Sequence, residues 1–139
     1  MTIDLALLLK IAGAGQLSVA LLNFSLVRLL NWRDDLQKLP LLIREVFQVH
    51  LWFISVTLLI FGVLSWNFSS QMASGTNDLA AWLCGAIGMF WALRTILQVA
   101  YYSSSHWRGR RDRFAIHVCL LLVYGGLSAT YLTAAARYI

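Results

Sequence analysis

Residues 46–66 read VFQVHLWFISVTLLIFGVLSW, a run whose one titratable side chain is His50. A helix needs about 20 mostly apolar residues to cross the hydrocarbon core of a bilayer, and this run is long enough. Strands fit poorly. Membrane barrels alternate apolar and polar residues over segments of about ten, and this run does neither. In lipid the backbone must also bond to itself, which favours helices.

Working outward, three more stretches have the same character. Spans are predicted at about 5–30, 41–66, 79–102 and 114–136, separated by polar segments at 31–40, 67–78 and 103–113. The expected fold is all-α: a polytopic membrane protein, with one antiparallel up-down four-helix transmembrane bundle over residues 1–139 and no segment left for a soluble domain. Composition agrees. The chain is 60% apolar and 12% charged, with a mean hydropathy of +0.70. A soluble domain is about half apolar and a quarter charged, and a disordered chain is more polar still. A single proline excludes Pro-rich and collagenous classes.

Orientation follows from lysine and arginine placement. The first polar segment and its flanks hold Arg28, Arg33, Lys38 and Arg44. The third holds Arg108, Arg110, Arg111 and Arg113, whereas the middle one holds Asp78 and no cation. The basic turns are therefore expected on the cytoplasmic side, with both termini non-cytoplasmic. The N-terminus begins Met-Thr-Ile-Asp, without a basic leader region, so the first span is expected to be retained. The net charge of +5 then reads as a topology signal and an attraction to anionic lipid headgroups, with no need for nucleic acid. Trp32, Trp66, Tyr101, Tyr102, Trp107 and Tyr138 fall at span ends, as an aromatic belt would.

Cys84 and Cys119 belong to different spans, at depths that differ by roughly 15 Å at the helical rise. A disulfide needs Cα atoms within about 7 Å, so two packing residues are expected and a thiol oxidoreductase is not.

Helical periodicity sorts the intramembrane polar residues into faces. On the first span Gln16 and Asn23 share a face with Ala12 and Ala20, close to Gly13, which reads as a packing seam. Lys10 points away and can snorkel to the headgroups. On the third span Trp91, Arg94, Gln98 and Tyr101 form one stripe. An intramembrane guanidinium needs a partner or water, and Glu45 is the acid expected at matching depth. On the fourth span His117, Tyr124 and Tyr131 recur every seven residues, with Gly125 and Ala129 as a small-residue pair on the other side. Glu45, Arg94, Gln98, His117 and Tyr124 together form the candidate polar site, structural or ligand-binding.

A short internal similarity suggests a second reading. Residues 44–50 (REVFQVH) and 111–117 (RDRFAIH) match in type, with an arginine, an acid, a phenylalanine, a β-branched residue and a histidine in register. If this marks a parallel repeat, His50 and His117 are candidate axial ligands for haem b, on the second and fourth spans. No other metal site is expected, because paired zinc spacings are absent, as are GxxxxGK[ST], HExxH and GxSxG. His106 and Ser103–Ser105 lack an orienting acid.

The leading expectation is a small non-enzymatic membrane protein: an accessory, scaffold or ligand-binding subunit with a polar site in its cytoplasmic half. Its partners would be the bilayer, anionic headgroups at Arg108, Arg110, Arg111 and Arg113, and other membrane subunits or a second copy. A haem-binding or redox subunit is the alternative. A lipid-modifying enzyme is third, with candidate residues but no motif.

Overall fold

The computed structural model describes residues 4–29, 31–101 and 111–138. These form five helices: α1 (Leu5–Leu29), α2 (Arg33–Gln37), α3 (Leu41–Ser74), α4 (Asp78–Ala100) and α5 (Arg111–Ala135). A 3-10 turn, Ala136–Tyr138, follows α5. Among the described residues there is no strand. α1, α3, α4 and α5 contribute four segments long and apolar enough to cross a bilayer, matching the four predicted spans in number and order.

The boundaries have local causes. The Asp4 carboxylate accepts from the Ala6 amide at 3.0 Å and caps the start of α1. At its end, Asn31 takes a left-handed conformation (φ 51°). Its amide donates to the Arg28 carbonyl at 3.3 Å, and the Trp32 amide donates to the Val27 carbonyl at 3.1 Å. This is the Schellman pattern, with asparagine where glycine is more usual. Pro40 then precedes α3, where its fixed φ suits a helix start. The Asn77 carboxamide caps α4, accepting from the amides of Leu79 (2.9 Å) and Ala80 (3.3 Å).

The longest helix departs from expectation. A span ending near Trp66 and a polar segment at 67–78 are predicted, yet α3 continues to Ser74. Asn67 stays within it by donating to the Val63 carbonyl at 2.9 Å. Phe68 (φ −110°, ψ 16°) kinks the helix. Beyond the kink, Ser69 and Met72 are buried. Packing of these two residues outweighs the local polarity of Asn67-Phe68-Ser69-Ser70-Gln71. Gly75 (φ 73°) closes the helix, and the connection to α4 shrinks to a tight turn.

The described chain divides into two compact units: residues 10–68, and residues 4–9 with 69–101 and 111–138. In the first unit α1 and α3 run antiparallel and meet at glycines. A Cβ at Gly13 would lie 3.0 Å from the Gly62 carbonyl oxygen and 3.1 Å from the Trp66 nitrogen. One at Gly62 would lie 2.7 Å from Leu17 Cγ. Ala12, Gln16 and Ala20 on α1 are buried as well, and Asn23 is half-buried. Lys10 is exposed.

In the second unit α4 and α5 pack antiparallel along their lengths. The C-terminal 3-10 turn covers the end of α3. The Tyr138 hydroxyl donates to the Gln71 carbonyl at 3.0 Å, and Arg137 Nη1 donates to the Ala73 carbonyl at 3.4 Å. These are final-turn carbonyls without intrahelical donors.

Most apolar surface is left uncovered. Trp82 is 79% exposed, Phe53 72% and Leu122 72%. Such extensive apolar exposure is a liability in water, and a helix apolar on all sides suits lipid.

The glycine contact is testable. An added methyl at Gly13 meets backbone atoms that cannot rotate away, while one at Gly15 meets nothing within 4 Å. Gly13→Ala is expected to lower stability in detergent by about 1–3 kcal/mol relative to Gly15→Ala, read by thermal unfolding of both variants.

Candidate functional site

The stripe predicted on the third span and the stripe predicted on the fourth face each other. Gln98 Nε2 lies 3.1 Å from His117 Nδ1. One turn and more along the seam, the Trp91 and Tyr124 rings stack with centroids 5.2 Å apart and planes at 27°. The Arg94 guanidinium lies 5.0 Å from the Tyr124 ring centroid, a cation–π distance. Phe90 meets the edge of Trp91 at 5.5 Å. Farther along, the Ser128 hydroxyl donates to the Gly88 carbonyl at 3.1 Å. Gly88 permits this approach, since a Cβ there would lie 2.8 Å from Leu132 side-chain carbons.

Burial makes these contacts matter. Trp91 is 1% exposed, Gln98 2% and Tyr131 0%. His117 and Arg94 are half-buried. With the amide N–H donating, His117 Nδ1 is the bare ring nitrogen and the neutral ring carries its proton on Nε2. If Nδ1 held the proton, the amide would turn and Oε1 would accept. As placed, Gln98 Oε1 is buried without a hydrogen-bond partner. A buried carbonyl oxygen of this kind is energetically costly.

The other sequence-predicted residues distribute as follows. Glu45 is exposed on α3, in the unit formed by residues 10–68. Gln98, His117, Arg94 and Tyr124 all belong to the other unit. His50 is exposed on α3, its Nδ1 donating to the Val46 carbonyl at 2.8 Å. The two histidines of the haem reading thus fall in different units. Among the described residues no three His, Cys, Asp or Glu side chains group as a metal site. Cys84 is a buried and Cys119 an exposed free thiol. Arg111 and Arg113 lie in the first turn of α5, whereas His106, Arg108 and Arg110 lie outside the described residues. The small pair Gly125 and Ala129 does not form the α4–α5 contact: a Cβ at Gly125 would meet nothing within 4 Å, and Ala129 is exposed. Gly88 and Ser128 make that crossing instead. Ser128 escaped sequence reasoning, although it lies one turn from both Tyr124 and Tyr131 on the helix and so shares their face.

No protein-family model matches the chain, and no curated protein or solved structure is significantly similar to it. The site is therefore read from its own chemistry. It holds hydrogen-bonding, cation–π and stacking groups.

Gln98→Leu and His117→Leu are each expected to destabilise the detergent-solubilised protein by about 1 kcal/mol. The double variant should lose less than the sum. Additive losses in chemical unfolding would show that the two side chains are not coupled.

Proposed function

We propose that this protein is a small, non-enzymatic, multi-pass membrane protein: an accessory or scaffold subunit whose α4–α5 seam holds a polar ligand or partner group. The single observation that carries this reading is the Gln98–His117 pair, with a buried acceptor at Gln98 Oε1 and the Arg94 cation on the Tyr124 ring nearby. An ionisable group inside a membrane span is a functional-site candidate by default. The groups present are of the kind that recognise a polar partner.

The topology belongs to the same proposal. The four spans form an up-down bundle in the bilayer, with segments 31–40 and 103–113 on the cytoplasmic side. Both termini then lie on the other side, and the Gln98–His117 end of the seam lies in the cytoplasmic half. The lysine and arginine distribution supports this orientation. Tags placed at the N-terminus and at Asn31–Pro40 should be accessible from opposite faces of sealed vesicles. Accessibility from one face would overturn the orientation.

For the partner role, protein isolated from its own membranes in mild detergent should co-purify with another membrane component in fixed ratio. Arg94→Gln combined with Gln98→Leu should lower that ratio severalfold, while Lys38→Gln, far along the chain in the first polar segment, should leave it unchanged. A monodisperse chain with no companion would overturn the accessory reading. A Soret band lost in His50→Ala and in His117→Ala would replace it with a haem protein.

A further inference from the structure

A concave site lies in the unit formed by residues 10–68. It is a cavity of about 310 Å³ lined by Phe24, Val27, Arg28, Arg33, Gln48, Leu51 and Trp52. Its construction follows from periodicity. Phe24, Val27 and Arg28 stand at i, i+3 and i+4 on α1, and Gln48, Leu51 and Trp52 repeat that spacing on α3. The reversal at Asn31 brings Arg33, the first residue of α2, back to the notch between them. From this geometry we infer that the cavity binds the phosphate headgroup of an anionic phospholipid.

The lining has two chemically distinct parts. One part is cationic and donor-rich: two guanidiniums, which bind phosphate oxygens through paired N–H donors, and the Gln48 amide. No carboxylate lines the cavity. The nearest acids in sequence are Asp34 and Asp35 on α2, and Asp35 is engaged by Lys38 at 3.0 Å. Among the described residues neither Arg28 nor Arg33 forms an ion pair, so both guanidiniums have donors to offer.

The other part is apolar. Phe24 and Trp52 meet edge to face with centroids 6.4 Å apart. They remain 44% and 60% exposed, and Val27 and Leu51 lie beside them in the lining. Free phosphate would gain nothing from this wall. A phospholipid uses both parts, with its phosphate at the arginines and the start of an acyl chain on the rings. Position along the helix agrees. Arg28 stands in the last turn of α1 and Arg33 beyond its end, where headgroups meet a spanning helix. Two cations near an anionic surface each add to binding.

The full-length chain in zwitterionic detergent, offered equimolar phosphatidylglycerol and phosphatidylcholine of identical acyl chains, tests this by native mass spectrometry. Phosphatidylglycerol should be retained over phosphatidylcholine by roughly tenfold or more. Arg28→Gln with Arg33→Gln should bring the two lipids to near equality, whereas Arg110→Gln with Arg111→Gln should leave the preference in place. Equal retention by the unaltered chain overturns the inference. So does loss of preference only in the Arg110/Arg111 variant, which would put lipid selection on the other basic turn. Should the cavity variant not fold, the unaltered chain still decides: tens of millimolar inorganic phosphate should not displace the lipid. Displacement would make this a phosphate site without lipid selectivity. None of these readouts depends on the α4–α5 seam.

Discussion

Every polar group in an apolar helix needs a partner, and here the helix itself supplies many of them. Ser18, Ser55, Thr57, Ser65, Thr95 and Thr130 each donate a hydroxyl to the carbonyl four residues earlier, at 2.7–3.0 Å. His50 and Asn67 do the same with ring and amide nitrogens. Such back-bonding lets a polar side chain sit in a span without a neighbouring helix. It also commits one donor of that side chain to its own helix.

Against that background the bonds between helices carry the specificity. Gln98 to His117 and Ser128 to Gly88 both join α4 to α5. They flank the stacked Trp91 and Tyr124 and fix the helices in both register and rotation. Their ends are polar and their middle is aromatic. The α1–α3 contact is built otherwise, from Gly13 against Gly62 and Leu17, with backbone approaching backbone. Close approach maximises dispersion contact and demands little of side-chain chemistry. In the α4–α5 pair, shape is joined by these directional bonds.

The charges are partitioned by the same physics. Lys10 and Glu45 remain exposed. Arg28 and Arg33 stand at a helix end, around the reversal at Asn31, beside aromatic rings. Arg94 is the exception, half-buried within α4 with its charge on the face of Tyr124. A guanidinium is weakly hydrated and planar, so an aromatic face is a workable partner. Counting residues along one helix cannot see a ring on another.

From sequence alone came the number of long apolar helices, their order, and the composition of each face. Run length decides the first two and the helical period decides the third, and both act within one helix. Thus Trp91, Arg94 and Gln98 were legible as one stripe, and His117, Tyr124 and Tyr131 as another. Tertiary structure decided that these two stripes meet, that Gly88 and Ser128 set their register while Gly125 stays out of it, and that α3 runs on past Trp66 to bury Ser69 and Met72. Periodicity orients a side chain around its own axis only. Which neighbour it meets depends on how close two backbones can come, and that is a property of the pair.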